Sequence, residues 1–389
     1  MTHLSDRIRG IAPGGDDGWG IFHKARALEE AGVALVNLTV GDHDIGTDPA
    51  ILQAMDRAAR GGATGYAALY GIPALRAAIA DRIAARTGVA TAPENVLVTV
   101  GGQAALFYAV MAAAGDGGRV LFPDPFYATY PGTVRAAGGV PVPVATRAET
   151  GFQPEADALR AAGEASAILV NTPNNPTGAV YSRETLEGVA AVAREGGIWV
   201  ISDEVYDTQL WAGEHLSPRA LPGMEDRCLV IGSMSKSHAM TGSRIGWLVG
   251  PADAIEAAGA AAVHTTYGVA GFVQAAALSA LGLGEDFEAQ VAAPFRARRD
   301  ACLAALEGGP VGAVPSGGAM YLMLDIRAAG LPAPAFAERL LDERRIAVMP
   351  GDSFGRAAEG HLRIALTRPE ADLTAAIREI AAMVEERAA

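Results

Sequence analysis

The apolar positions of the chain change their spacing along its length, and that change divides it into regions. Residues 1 to about 20 carry Pro13, several glycines and the Asp16-Asp17 pair, and predict an arm or loop before a helix around Ile21 to Ala31. Val33 to Val40 is a strand-like run that stops at Gly41. Asp48-Pro49 then supplies an N-cap and a first-turn proline for a helix with Ile51, Leu52 and Met55 on one face, and Gly61-Gly62 ends it. A second helix starts near Pro73, where Leu75, Ile79 and Ile83 recur at helical spacing until Gly88.

From there short apolar runs are bounded by turn signals. They are Val96 to Val100, Arg119 to Phe122, Val140 to Val144, Ile168 to Asn171, Ile198 to Ser202, Leu229 to Ile231 and Ile245 to Val249. Helical stretches such as Gln103 to Ala114 and Ser182 to Glu195 separate several of them. That alternation predicts a mostly parallel seven-stranded sheet covered by helices. Thr265 to Leu283 is the most apolar window, uncharged but rich in Ala and Gly, and reads as a buried helix rather than a membrane span.

After about residue 285 the rhythm predicts a smaller α+β region. It has a helix near Pro294 to Leu306, a strand near Met320 to Asp325 and a helix near Phe336 to Arg345. Strands near Ile346 to Met349 and Leu362 to Ala365 follow, then a closing helix striped by Leu373, Ile377, Ile380 and Val384. The division expected is an arm with part of the small domain over 1–45, a large domain over 46–285 and a small domain over 286–389. The class is α/β.

Composition narrows the partners. At 389 residues, with 50% hydrophobic and 19% charged residues, the chain has the profile of a compact folded protein. A net charge of −13 argues against nucleic acid. Cys228 and Cys302 lie far apart, and no apolar run follows Asp6, Arg7 and Arg9 to form a signal peptide. Together these point to the cytoplasm.

Lysine is almost absent: Lys24 and Lys236 are the only two among 31 basic residues. Arginine stays protonated, whereas a desolvated lysine can act as a base or condense with an aldehyde, so Lys236 is a candidate for chemistry. In open α/β sheets ligands bind beyond the carboxyl ends of the strands, and other candidates stand at that rim. Gly101-Gly102-Gln103 opens a helix after Val96 to Val100 and offers free N–H groups to an anion. Tyr127 follows the second run, and Asn175 lies in the turn after Asn171. Asp203 and Tyr206 follow Ser202, and Ser233, Ser235, Lys236 and Arg244 follow Ile231.

Jointly these residues meet the requirements of pyridoxal 5'-phosphate. Lys236 offers the amine for the aldehyde, and Asp203 can keep the pyridine nitrogen protonated. Tyr206 and Asn175 can bond the ring oxygen. Arg244, Ser233, Ser235 and the helix start can neutralise the phosphate, and Tyr127 can stack on the ring. No H-E-x-x-H, Walker loop or later Lys-Thr-Gly supports a metal hydrolase, a nucleotide-binding enzyme or a serine acyltransferase.

Asn174-Asn175-Pro176-Thr177-Gly178, Asp203-x-x-Tyr206 and Ser-x-Ser-Lys236 with Gly242-x-Arg244-x-Gly246 resemble the motifs of class I/II aminotransferases of PLP fold type I. The resemblance runs from Gly41-Asp42-His43-Asp44 through Tyr66 to Pro350-Gly351-Asp352-Ser353-Phe354-Gly355 and Arg363. It implies a ping-pong aminotransferase acting on an L-amino acid and a 2-oxo acid. Arg363 would bind the α-carboxylate and Gly41 back the substrate. It further implies a homodimer in which Tyr66 reaches the phosphate of the other subunit. His43, Ser243 and Met320 depart from the family pattern and are expected on the substrate side, while His238 is expected to be structural. Carbon–sulfur β-elimination uses the same cofactor residues and remains the alternative, with a cofactor-binding regulator a remote one.

Overall fold

A computed structural model describes residues 3–13 and 18–388. Seven strands form one sheet in the order Val96–Thr99, Gly246–Val249, Cys228–Ser233, Trp199–Asp203, Ala167–Asn171, Arg119–Asp124, Val140–Ala145. Neighbours are parallel except that Gly246–Val249 runs antiparallel to both of its neighbours. All seven predicted runs are therefore strands of the sheet.

Their apolar residues are nearly continuous because both faces are covered. Ile168 and Val170 point into one core with Leu75, Ile79, Leu186 and Val189. Ala167 and Leu169 point into the opposite core with Leu106, Val110, Ile255 and Ala258. Each face thus gains helices on the pattern expected of a buried parallel sheet.

A four-stranded antiparallel sheet holds Met349–Pro350, His361–Ala365, Tyr321–Asp325 and Gly312–Ala313. The run predicted from Val33 to Val40 contributes only Val36–Asn37, paired in parallel with Ile346–Ala347. Leu38 next to it is buried with Phe295, Leu324, Ile364 and the Leu373, Ile377, Ile380 and Val384 stripe of the last helix. The predicted Ile346 to Met349 strand is divided between two sheets, with Ile346–Ala347 in one and Met349–Pro350 in the other.

Capping agrees with the sequence signals. Asp48 Oδ1 accepts from Ala50 N at 2.7 Å with Pro49 in the first turn, and Gly88 closes the Pro73–Thr87 helix at φ 70°.

Two predicted helices change. Thr265 to Leu283 is not one helix: Ala252–Val263 ends before it, Tyr267 at φ 57° and Gly268 at φ 84° turn the chain, and a helix resumes over Gly271–Leu281. Successive left-handed residues cannot continue a right-handed helix. The helix expected from Pro294 instead begins at Gly284 and runs to Leu306 with the proline inside it. Among the described residues, no helix is long and apolar enough to cross a membrane.

Candidate active site

The ends of the parallel strands, the loop at residues 39–42 and the strand His361–Ala365 converge on a cavity of about 320 Å³. Its wall includes Gly41, Gly102, Gln103, Tyr127, Asn175, Asp203, Tyr206, Ser233, Ser235, Lys236, Arg244 and Arg363. Residues from all parts of the chain are thus brought together as the sequence predicts.

Lys236 sits on the single helical turn Met234–Ser237, whose N-cap is Ser233; Ser233 Oγ accepts from Ser235 N at 3.1 Å. This turn leaves the strand Cys228–Ser233 and swings the lysine back over the sheet edge, where its amine donates to the Gly41 carbonyl. Burial favours the uncharged amine and lowers its pKa. That is the direction an amine needs if it is to carry protons or attack a carbonyl.

Asp203 ends its strand at 7% exposure, and its partners are neutral. Tyr130 Oη donates to Oδ2 at 2.7 Å, and Val205 N donates to Oδ1 at 3.4 Å. Burial pushes the carboxyl up to about 6, with the Tyr130 bond working against the shift. Such a group calls for a cation on its cavity side.

Arg363 is a second uncompensated charge, only 1% exposed. One guanidinium nitrogen donates to Asn175 Oδ1 at 3.0 Å and the other to the Thr39 carbonyl, while Nε has no partner. Tyr321 and Phe354 cover it, with their ring centroids 4.5 and 4.4 Å from the guanidinium carbon. Among the described residues no carboxylate is a hydrogen-bond partner of it, and burial lowers its pKa. The arrangement is a socket for a small carboxylate.

Arg244 lies at φ 52°, donating from Nη1 to the Thr241 carbonyl at 2.8 Å. Its guanidinium lies against Gly101, where a Cβ would stand 2.4 Å from Nη2 and where φ is +74°. Only glycine allows both the backbone angle and the approach. The helix Gly101–Ala114 thus presents its first-turn N–H groups beside an arginine, a site for a phosphate-sized anion. Gln103 in that turn is tied down by Thr133 Oγ1 at 2.7 Å and Thr129 Oγ1 at 3.2 Å.

Tyr127 edges against Tyr130 with ring centroids 5.7 Å apart, and burial pushes its phenol up to about 12. Tyr206 is likewise held well above the usual phenol range, first by burial and then by Tyr321, whose hydroxyl lies 3.0 Å from its own. Gly41 backs onto that same Tyr321: a Cβ there would stand 2.0 Å from the phenol oxygen. An aldehyde-bearing, phosphorylated ring with a protonated nitrogen fits this set, since it supplies a partner to Lys236, to the Arg244 corner and to Asp203 at once.

Other residues singled out from the sequence lie outside this cavity. Tyr66 is outside this cavity, 91% exposed, with its ring centroid 5.0 Å from that of Tyr267. Met320 is fully buried in the core of the smaller sheet, and it is the next residue, Tyr321, that lines the cavity. His43 packs edge-on to Phe295 at 5.2 Å, both ring nitrogens buried without a partner, and burial pushes it down to about 4. His43 and Ser243 line a neighbouring cleft rather than this one. His238 is held between Ser237 Oγ at 2.8 Å and the Ala280 carbonyl at 3.1 Å, as a structural residue would be.

Sequence reasoning missed Tyr321, Tyr130, Asp42 and Thr241. Only Tyr130 carried a signal, as a second tyrosine three residues after Tyr127, where it begins the helix Tyr130–Ala136. The resemblance to the aminotransferases also implies that the segment Pro13 to His23, with Trp19 and Phe22, covers the substrate; Trp19 lines the cavity, and residues 14–17 lie outside the described residues.

Comparison with known proteins gives a consistent picture. The family described as aminotransferase class I and II matches residues 33–380. An arginine–pyruvate transaminase of Pseudomonas aeruginosa is 40% identical over 386 residues, 98% of each chain. An aspartate/prephenate aminotransferase of Thermus thermophilus is 38% identical over 387 residues, again 98% of each. The solved structure of aspartate aminotransferase from Thermus thermophilus with maleate superposes with a TM-score of 0.93 at 37% identity, covering 98% of this chain and 100% of that one.

Proposed function

This chain belongs to the class I and II aminotransferases, and on that premise we propose how its own residues divide the work of a pyridoxal-phosphate enzyme. The protein is an aminotransferase of PLP fold type I that moves an amino group between an L-amino acid and a 2-oxo acid in a ping-pong cycle. When bound, pyridoxal phosphate supplies an aldehyde for the substrate amine and a protonated ring that draws electrons from the substrate α-carbon.

Lys236 would anchor the cofactor, and its amine would take up and return the proton of the substrate α-carbon. Its buried, depressed amine supports that role. Asp203 would hold the ring nitrogen protonated, with Tyr130 donating to its carboxylate. Tyr206 and Asn175 bond the ring oxygen, and Tyr127 covers the ring. Gly101, Gly102, Gln103, Ser233, Ser235 and Arg244 hold the phosphate. Arg363 takes the substrate α-carboxylate, Asn175 orients it, and Gly41 leaves room for the substrate beside Tyr321.

The working unit is a homodimer in which Tyr66 reaches the phosphate of the other subunit; its near-complete exposure supports this. Residues 1–45 would serve as arm and part of the small domain, 46–285 as the cofactor domain and 286–389 as the small domain. A cytoplasmic setting is supported by two free, buried thiols, Cys228 and Cys302.

The observation that carries these assignments is one cavity lined by a half-buried lysine and, among the described residues, a buried carboxylate without a cation and a buried arginine without an anion. Mixing the cofactor-loaded protein with single amino acids tests them. Conversion to the pyridoxamine form with release of the matching oxo acid is expected, and borohydride should fix the cofactor to Lys236. Release of ammonia and pyruvate without pyridoxamine would point to a lyase, and reduction that labels no lysine would sink the assignment. The named relatives act on arginine in one case and on aspartate or prephenate in another, so their names leave the side chain open.

A further inference from the structure

The cavity is walled by residues of two different sheets, and a carboxylate outside it ties those sheets together. Asp124 ends the strand Arg119–Asp124 of the seven-stranded sheet and is 6% exposed. Its Oδ2 accepts from Arg356 N at 3.0 Å and its Oδ1 from Ala357 N at 3.1 Å. Two residues on, Phe126 N donates to the Phe354 carbonyl at 2.9 Å. Gly355 makes the approach possible: it lies at φ 115°, and a Cβ there would collide with Asp124 Oδ1. The carboxylate is thus seated in a turn of successive backbone N–H groups. Burial pushes its pKa up, and the two N–H groups work against that shift.

The loop gripped in this way belongs to the hairpin that carries Arg363. Its two turns, Gly351–Phe354 and Arg356–Ala358, join Met349–Pro350 to His361–Ala365, and Met349 is paired with Arg363 across that ladder. Phe354 is fully buried, with its ring centroid 4.4 Å from the Arg363 guanidinium carbon. The end of the larger sheet therefore holds the residue that covers the guanidinium, by its carbonyl and by the N–H groups just after it. Asp124 does not line the cavity, so it can reach a bound molecule only through this loop.

We propose that Asp124 is a positioning residue for the carboxylate socket: it clasps the loop 351–358 to the end of the larger sheet and so sets where Arg363 stands relative to the cofactor, on the reading above in which Arg363 takes the substrate α-carboxylate. Arg363 stands on the smaller sheet, whereas Asp203 ends a strand of the larger one and Lys236 follows another. A substrate held by its carboxylate at one and by its amine at the other must span both, and an error in their separation falls directly on the reacting geometry.

Aminooxyacetate and O-methylhydroxylamine displace Lys236 from the cofactor through the same aminooxy group, and only the first carries a carboxylate. The ratio of their second-order rate constants with the cofactor-loaded protein, followed by absorbance, reads the socket whatever amino acid the protein uses. The unaltered protein should favour aminooxyacetate about 10- to 100-fold, the worth of a charge-assisted hydrogen bond. Arg363→Ala should abolish that preference. Asp124→Ala should cut it about tenfold, because a misplacement of about 1 Å costs up to about 100-fold. Asp124→Asn should cut it less, since its amide oxygen still accepts one bond. In an Arg363→Ala background Asp124→Ala should change the ratio no further. A residue that only held the fold together would lower the cofactor content or slow both reagents alike, and the ratio would stay.

A ratio in Asp124→Ala within twofold of that of the unaltered protein, or the same loss with and without Arg363, overturns the proposal and leaves the aminotransferase standing. So does failure of both Asp124 variants to take up cofactor, which would make the residue a support of the fold at large. Absence of any preference for aminooxyacetate in the unaltered protein overturns the assignment of Arg363 itself and this proposal with it.

Discussion

Asp203 and Asp207 stand four positions apart on one stretch of chain, both largely removed from water, and the structure treats them in opposite ways. Asp207 meets Arg86 directly and Arg82 at 3.5 Å, and Glu288 closes a four-membered network by bonding Arg82 at 2.6 Å and Arg86 at 3.1 Å. Burial raises the Asp207 carboxyl, but the pull of Arg86 and Arg82 outweighs it, and the net shift is downward. Asp203 has only a phenol and an amide, and burial carries it up to about 6. Two positive and two negative charges cancel in the first region. In the second the protein leaves the cancellation to a bound molecule. A buried charge with its partners built in is a strut, and a buried charge without them is a receptor.

The largest expected effect breaks the receptor side. Asp203→Asn should lower kcat/KM about 100- to 1000-fold, as removal of one preorganised electrostatic partner does. It should leave the urea midpoint of the cofactor-free protein at pH 7 unchanged or higher, because an uncompensated buried charge has gone. A fall in the midpoint would mean that Asp203 is a strut after all.

Asp207→Asn should do the reverse. Breaking a largely buried network costs about 3 kcal/mol, read as a lower urea midpoint, while kcat per folded molecule stays within about threefold. The pH dependence separates the two further. Asp203 has a folded pKa above its ordinary value near 4, so between about 4 and 6 the unfolded chain loses its proton first and stability falls as pH rises. Over that window the loss is about 3 kcal/mol at about 1.4 kcal/mol per pKa unit. Asp203→Asn should remove that slope from the cofactor-free protein. Asp207 is depressed, so its contribution is present above its ordinary value and disappears as pH falls through the lower folded one. Stability curves from pH 3 to 7 for both variants check the two signs. Equal slopes would erase the distinction.

How much of this could be read from the letters follows from the same contrast. The seven strands were visible because a sheet covered on both faces needs unbroken apolar runs. Most of the cofactor residues were visible because they follow such a run or open the next helix, whereas Arg363, inside the strand His361–Ala365, was reached only through the family resemblance. The strut was not: Arg82, Arg86, Asp207 and Glu288 are brought together by the packing of the Pro73–Thr87 helix, the loop after Asp203 and the Gly284–Leu306 helix. The same holds for Tyr321 and Asp42, which reach the cavity only because the smaller sheet and the segment 39–42 close over the larger one. Composition also concealed the break at Tyr267, since an uncharged run gives no sign of where the backbone turns left-handed.

The smallest expected effect concerns the hydroxyl behind the receptor. Tyr130 is buried, its phenol is held far above the usual range by burial and by Asp203, and it therefore remains a donor at any working pH. Its ring is fixed edge-on by Phe122 at 6.2 Å and Tyr127 at 5.7 Å, so Tyr130→Phe removes the donor while keeping the packing. Without the 2.7 Å bond the Asp203 carboxyl should move further above 6, and its hold on the ring nitrogen should weaken. A hydrogen bond to an ionised group is worth about 1.5 to 3 kcal/mol, of which only the part that differs between ground and transition states reaches the rate, giving a fall in kcat/KM of about tenfold. The effect should vanish in an Asp203→Asn background, because the phenol acts only through that carboxylate. A double-mutant cycle in which the two losses simply add would place Tyr130 on some other part of the site and remove it from the receptor.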